Sequence, residues 1–360
     1  MSARNVMSKM ILLPCSKIYG AVTYMRNKFF DWGILKQHEF DVPVVVVGNL
    51  AVGGTGKTPH VEFILSQLRY SFHIAVLSRG YKRHTKGFVM ASDKSTPRDV
   101  GDEAYQIYQK FNGEVVVAVC EERVAGINEL LRLDPNINLI LLDDAFQHRY
   151  VKPKASILIT EYNRPVFEDS MLPYGRLRES IRGLNRADMV VVTKCPDTIK
   201  QLDFRIYSKH LELYPFQELF FSKYAYNNPV PLFPDRVKAF PYLDWLLETD
   251  TVLAVAGIGN PRPFVRYLKS FRAKVKVNVF PDHHSYTRKD IELLLNRFNT
   301  MRGERKYIIT TEKDAVRLIC NPYFPHELKP YIFYLPVEVE FINPAGPTAF
   351  VDALRKLIRQ

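Results

Sequence analysis

The sequence has few cysteines. There are four in 360 residues, Cys15, Cys120, Cys195 and Cys320, and neighbouring ones lie 75 or more positions apart. No C-x-x-C pair and no metal-type spacing occurs among them, which argues against a disulfide framework and for a reducing compartment. Long apolar runs are also missing, and none approaches the roughly 18 residues that a spanning helix needs. The N-terminal segment does not read as a signal peptide. Lys17, Arg26 and Lys28 interrupt its apolar positions, and no small-residue cleavage site follows a continuous apolar core. There are no internal repeats and no low-complexity tracts. Acidic residues are in deficit, 38 against 50 basic, for a formal net charge of +12. That excess points to an anionic partner: nucleic acid, an acidic lipid surface or a phosphorylated ligand.

What is present is ordinary globular material, 47% hydrophobic and 24% charged, which excludes disorder and fibrous repeats. The length suits about two domains. Val44–Val47 is a short, wholly apolar, β-branched run, as expected of a strand buried on both faces. Similar runs follow at 74–77, 115–119, 139–142, 156–159 and 189–193, with helical stretches at 58–70, 102–110 and 121–133 between them. Alternation of this kind predicts an α/β fold with a parallel sheet covered on both faces. Near 217–235 the texture changes, and a smaller α/β set follows, with strands at 252–256, 274–279, 307–310 and 332–335. Two alternating segments, 217–224 and 336–342, flank that set, and a Pro/Gly-rich break at 343–347 follows the second. The expected division is residues 1–220 plus 343–360 as one domain and 225–335 as the other. The two flanking strands would pair as a bridge, and the last helix would pack back on the first domain.

The chemistry concentrates in a few segments. Gly48-Asn49-Leu50-Ala51-Val52-Gly53-Gly54-Thr55-Gly56-Lys57-Thr58 follows a strand and opens a helix, the context a P-loop requires. Its N–H groups can cradle phosphates; Lys57 can reach the β/γ-phosphates and the Thr58 hydroxyl can bind Mg²⁺. The strict pattern wants glycine where Ala51 stands, and Gly53-Gly54 can compensate. Leu139–Leu142 running into Asp143-Asp144 has the Walker B form, which sets a carboxylate beside the P-loop for Mg²⁺, with Gln147 and His148 just beyond. Asp102 and Glu103, after Gly101, open a helix. They either complement its N-terminus or supply a carboxylate that takes a proton from an attacking hydroxyl. Arg79, Lys82 and Arg83 end a strand as a cationic cluster able to grip phosphate or simply to be solvated.

Three further segments carry less. Asp282-His283-His284 lacks the partners of a zinc site. Thr311-Glu312-Lys313-Asp314 reads as a capped helix start. Thr193-Lys194-Cys195-Pro196-Asp197 departs from the guanine-reading spacing of GTPases, which argues against GTP specificity.

Taken together, GNLAVGGTGKTP (48–59), LSRGYKR (77–83), GDE (101–103), LLDDAFQH (141–148), LPYGRLRE (172–179), FPDHHSY (280–286) and TEKDAVRL (311–318) resemble one family, the tetraacyldisaccharide 4′-kinases of lipid A biosynthesis. The departures are Ala145, where the family commonly has Gly, and Ala104, where it often has Pro. The resemblance implies two α/β/α sandwich domains, a P-loop NTPase-like core in the first, a two-stranded β linker, and an active site in the cleft between them. It implies transfer of the ATP γ-phosphoryl group to the 4′-hydroxyl of a tetraacylated disaccharide 1-phosphate lipid in a Gram-negative bacterium. The enzyme would act as a peripheral protein at the cytoplasmic face of the inner membrane. Gly53, Gly54, Thr55, Gly56, Lys57 and Thr58 would bind ATP. Thr58, Asp143 and Asp144 would serve Mg²⁺, and Asp102, assisted by His283, would be the base. Glu103, Gln147, His148, Arg178 and Glu179 would line the site, with Arg79 at its rim.

Ahead of the first strand, Cys15, Ile18, Val22, Met25, Phe29 and Trp32 recur at steps of 3, 4, 3, 4 and 3, one face of a helix over about 14–32. Pro14 suits its first position and Gly33 its end. The stripe either packs on the core or, given the basic residues around it, lies on an anionic membrane surface. A rival class is a P-loop NTPase coupled to a protein partner, of metallochaperone or partitioning type. It would turn over ATP without a lipid acceptor and has no obvious use for this helix. Nucleic acid is not expected as a partner, because the basic residues are dispersed and no stacking module occurs. No obligate protein partner is expected either.

Overall fold

The computed structural model describes residues 3–342, 346 and 348–359, with side chains from residue 11 onward. A long helix, α1 (Ala3–Asp31), opens the chain. Then come β1 (Val44–Gly48), α2 (Lys57–Leu68), β2 (Ile74–Ser78), β3 (Val89–Met90), α3 (Pro97–Val100), α4 (Asp102–Phe111), β4 (Val116–Val119), α5 (Arg123–Leu133), β5 (Leu139–Asp143), β6 (Ala155–Glu161), β7 (Met189–Thr193), α6 (Gln201–Leu211) and β8 (Glu218–Tyr226). A second series comprises β9 (Val230–Pro231), β10 (Thr251–Ala256), α7 (Arg262–Leu268), β11 (Lys274–Val279), α8 (Arg288–Asn299), β12 (Lys306–Thr311), α9 (Glu312–Ile319), β13 (Ile332–Leu335), β14 (Val337–Phe341) and α10 (Ala349–Arg359).

The first sheet has the order β14-β8-β7-β6-β1-β5-β2-β4-β3, parallel throughout except for its antiparallel edge strands β14 and β3. Its apolar strands are buried on both faces. Along β1, Val45 and Val47 join one core with Ile64 and Leu65 of α2, Ile107 of α4 and Phe350 and Leu354 of α10. Val44 and Val46 join the other with Ile127 of α5, Tyr207 of α6 and Phe146. Strand β1 is central, and the chain leaves it toward β2 on one side and returns to β6 on the other. The carboxyl end of such a strand is where open α/β sheets bind ligands. The second sheet, β11-β10-β12-β13-β9, is parallel apart from β9, with α8 and α9 on one face and α7 on the other.

The flanking strands 217–224 and 336–342 do not stand free between two units. Strand β8 pairs in parallel with β7 (Met189↔Glu218 to Val192↔Phe221) and antiparallel with β14 (Tyr226↔Val337 to Ser222↔Phe341). The ribbon is thus the edge of the first sheet, and only its far end leads to the second. Apolar Phe220, Phe221, Val339 and Phe341 are the reason, since each is buried in a core of the first sheet.

Helix α1 starts earlier than Pro14, which lies inside it. Its apolar stripe does not pack on the core: Ile18, Val22 and Trp32 are 66%, 63% and 61% exposed, Cys15 and Met25 are exposed, and Phe29 is half-buried. The opposite, more polar face docks instead. Ser16 Oγ donates to the Met171 carbonyl at 2.8 Å, Tyr19 Oη to the Arg178 carbonyl at 2.9 Å and Asn27 Nδ2 to Glu179 at 2.9 Å, while Phe30 packs edge-on against Tyr150. Among the described residues no helix is long and apolar enough to cross a membrane.

Helix α10 completes the first core. Phe350 is 1% exposed and stacks on Phe341 with centroids 4.2 Å apart. Phe350→Ala is expected to lower unfolding free energy by about 3–5 kcal/mol in a denaturant melt; a loss below about 1 kcal/mol would make α10 peripheral to the fold.

Candidate active site

The phosphate loop depends on close backbone approach. A Cβ on Gly48 would fall 2.5 Å from Phe146 Cβ, and one on Gly56 would fall 2.2 Å from the buried Tyr224 hydroxyl of β8. Gly53 and Gly56 have left-handed φ of 111° and 94°, conformations that glycine adopts without steric cost. Ala51 is buried and forms an antiparallel bridge with Leu177, so its methyl serves packing where the strict pattern has glycine. Asn49 Nδ2 donates to Thr55 Oγ1 at 2.7 Å and fixes the loop from inside. Helix α2 then begins at Lys57 without a side-chain cap, which leaves its first N–H groups for a ligand. Lys194, dismissed above as part of a failed guanine motif, donates to the Gly54 carbonyl and pairs with Glu161.

The two acids at the end of β5 have different surroundings. Asp144, at φ 50°, lies 3.5 Å from Lys57 Nζ and pairs with Arg178 at 3.0 Å. Burial pushes its carboxyl up, but Lys57 and Arg178 outweigh that and hold it below the usual range. Asp143 is 4% exposed and its Oδ1 has no hydrogen-bond partner among the described residues. Burial, with Asp144 alongside, pushes it up to about 7, against the opposing Lys57. An orphaned buried carboxylate beside a phosphate loop fits a divalent cation, with the Thr58 hydroxyl on the adjoining helix start. Among the described residues no three His, Cys, Asp or Glu side chains converge as a metal cage. Such a site would be completed by substrate phosphates, as Mg²⁺ sites usually are.

Gln147 and Glu179 brace this half of the site. Gln147 Nε2 donates to the Asn49 carbonyl at 2.6 Å and its Oε1 accepts from Arg178 at 3.2 Å, while buried Glu179 pairs with Arg186 at 2.8 Å. His148 is not brought to the phosphate loop. It packs on Tyr150, and burial followed by the charges of Arg123, Arg26 and Arg79 lowers it to about 4, so it is neutral. Arg79 is exposed at the end of β2.

The other half is assembled from both sheets. Gly101, at φ 86°, lets the 78–83 loop press against the start of α4, where Asp102 and Glu103 stand. Arg317 of α9 grips Asp102 Oδ2 with Nε at 2.8 Å and Nη2 at 2.7 Å, and His283 Nδ1 lies 3.4 Å from the same oxygen. Lys313 Nζ bonds Glu103 at 2.9 Å and His283 Nε2 at 3.1 Å. An ammonium can only donate, so Nε2 accepts from Lys313, while Nδ1 lies within reach of both Asp102 Oδ2 and Arg317 Nη2, the latter at 3.5 Å. Burial raises the Asp102 carboxyl, but His283 and Arg317 together hold it below the usual range. His284 turns away to Asp290, the residue that closes the capping box of α8.

Thr311 does cap α9, but the same segment carries Lys313 and Arg317 across to α4. The sequence signal for this was present: two cations four apart share a helix face. Nothing local marked the acids they would meet.

The central glycine loop and the paired acids of the adjacent strand define a nucleotide-binding protein of the P-loop class. The chain belongs to the tetraacyldisaccharide-1-P 4′-kinase family, whose model matches residues 8–359. It is 50% identical over 340 residues to a tetraacyldisaccharide 4′-kinase of Bacteroides thetaiotaomicron, covering 92% of this chain and 89% of that one. It is 41% identical over 354 residues to that of Porphyromonas gingivalis, covering 97% of each. Its fold matches the crystal structure of LpxK from Aquifex aeolicus in complex with ATP, with TM-score 0.71 and 28% identity over 96% of this chain and 98% of that one.

Asp143 gives a pH signature. Its ordinary value is 3.8 and its folded value about 7, so between these the native state holds a proton that the unfolded chain has released. Stability from this group is full below pH 4 and is lost as pH rises through 7. Asp143→Asn is therefore expected to melt higher than the wild type above pH 7 in a metal chelator, with the difference vanishing at low pH, while kinase activity is lost. Equal melting points at pH 8 would show that Asp143 is already neutralised.

Proposed function

We propose that this protein transfers the γ-phosphoryl group of ATP to the 4′-hydroxyl of a tetraacylated disaccharide 1-phosphate, at the cytoplasmic face of a Gram-negative inner membrane. The observation that carries the mechanism is Asp102, held by two side chains of the second sheet. The contacts that Arg317 and His283 make to this carboxyl fall on Oδ2, which leaves Oδ1 for the acceptor. The sugar oxygen forms a bond to Pγ as the bond from Pγ to the β-phosphate oxygen breaks, and the hydroxyl proton passes to Asp102. Because the transition state is loose, that proton leaves late and a weak base suffices. Holding the Asp102 carboxyl low keeps it ionised and ready to accept. Lys57, the N–H groups at the start of α2 and the left-handed glycines offset charge on the transferring phosphoryl and on ADP. Asp144 and Arg178 fix Lys57 in place. Asp143 and Thr58 would hold Mg²⁺, which neutralises phosphate charge when bound.

ATP consumption measured in detergent, with and without acylated disaccharide monophosphate, separates this reading from a partner-coupled NTPase, which would turn over ATP without acceptor. Asp102→Asn is expected to lower kcat by about 10²–10⁴-fold with little change in KM for ATP. Wild-type kcat in a folded Asp102→Asn sample would remove the base assignment.

The membrane reading rests on α1. Its polar face is committed to the 171–179 segment that braces the phosphate loop, Arg26 turns inward to the Gln147 carbonyl, and the apolar stripe is left outward with Lys17 exposed and Lys28 half-exposed beside it. A stripe of this kind lies in the plane of an anionic interface, where each basic residue adds about 1 kcal/mol. Ile18→Glu with Val22→Glu is expected to abolish co-sedimentation with anionic liposomes while preserving turnover in detergent. Undiminished co-sedimentation would place the contact elsewhere.

A further inference from the structure

One charge cluster, buried at Glu62 and open to solvent at Lys110, lies outside the phosphate and base sites but touches the elements that carry both. Lys110, at the last turn of α4, donates to Glu62 of α2 at 2.7 Å and to Glu312 of α9 at 3.0 Å. Glu62 is 4% exposed, and its second oxygen accepts from Gln106 at 2.7 Å. The second oxygen of Glu312 accepts from the Val337 N–H, where β14 begins. Burial, with Glu312 beside it, pushes Glu62 up to about 7, against the pull of Lys110.

Each of the three helices also bears part of the active site. Helix α2 starts with Lys57 and Thr58, and α4 starts with Asp102 and Glu103. In α9, Lys313 and Arg317, which hold Glu103, His283 and Asp102, follow directly on Glu312. The single ammonium thus stands between two carboxylates, one on the phosphate-loop helix and one on the second sheet's helix. Without it, two acids, one of them buried, would face each other and repel. That repulsion would push α9, with its two cations, away from α2.

We infer that Lys110 is a positioning residue for phosphoryl transfer, an ammonium clasp that sets the spacing between the phosphate-loop helix and the Lys313–Arg317 arm on Asp102. It touches neither ATP nor acceptor and acts through α9. This rests on the phosphotransfer reading above.

The test uses the full chain in detergent, with saturating ATP and acylated disaccharide monophosphate. Lys110→Met keeps the stem and removes the charge; it is expected to lower kcat about 10- to 100-fold, the scale of a misplacement of about 1 Å. KM for ATP should stay within about threefold, since the phosphate loop itself is intact. Lys110→Arg should recover most of the loss, because a guanidinium fork can also bridge two carboxylates. Glu312→Gln removes the charge that Lys110 meets on the second sheet's helix, keeps one oxygen able to accept from the Val337 N–H, and leaves Lys110 on Glu62. It should lower kcat in the same direction, and it decides the matter if Lys110→Met does not fold. A lower melting point with wild-type kcat in the folded variants would reduce Lys110 to a structural role and overturn the proposal. Wild-type protein that transfers no phosphate to the acceptor would overturn the phosphotransfer reading itself, and the clasp with it.

Discussion

Arg317 and Asp102 belong to different sheets and are separated by more than two hundred residues, yet their ion pair holds the candidate base in place. The guanidinium is 7% exposed and the carboxylate 18%, so both are largely withdrawn from water. Removing one partner from a pair of this kind leaves an uncompensated charge and typically costs about 3–5 kcal/mol. The pair is also over-determined: Arg317 is anchored to Asp314, which is itself held by the Gly257 N–H and the Thr311 hydroxyl. The second sheet therefore works as a rigid frame that delivers one arginine, one lysine and one histidine to the first. The ribbon of β8 and β14 carries the chain between them, and its Tyr224 closes on Gly56 of the phosphate loop. Strand β8 thus touches the phosphate loop and leads to the second sheet.

Stability is given up where the chemistry is. Asp143 is buried without a partner, which no core would choose for a carboxylate in the absence of a cation. Asp144, one residue on, is paired twice and is ionised. The division sets Asp144 on Lys57 and leaves Asp143 without a hydrogen-bond partner on Oδ1 among the described residues. The local backbone produces the split, because Asp143 ends the strand with its side chain inside while Asp144 adopts a left-handed φ and turns out toward Lys57.

Helix α1 reverses the usual amphipathic logic of a surface helix. Its hydroxyls and amide bond the 171–179 segment, and its apolar side chains face outward. The same segment supplies Arg178 to Asp144 and bridges Ala51 of the phosphate loop. The outward stripe is therefore mechanically close to the site.

By itself the sequence determined the parts governed by short-range rules. The apolar, β-branched runs became strands buried on both faces, because nothing else shields such runs from water. Gly53, Gly56 and Lys57 at a strand–helix junction specified a phosphate loop, because only glycine tolerates those dihedrals. Of the residues the family motifs supplied, Lys57, Asp144 and Arg178 meet in one cluster and Asp102, Glu103 and His283 in another, while His148 packs on Tyr150. The tertiary structure alone decided what depends on distant neighbours. It chose Asp143 over Asp144 as the open carboxylate and brought Lys313 and Arg317, read locally as part of a capped helix, onto Glu103 and Asp102. It also pointed the α1 stripe away from the core and made the expected linker strands the edge of a sheet. Charge pairing and burial are set by whatever lies within a few ångströms in space. Residues separated by two hundred positions reveal that only once the chain is folded.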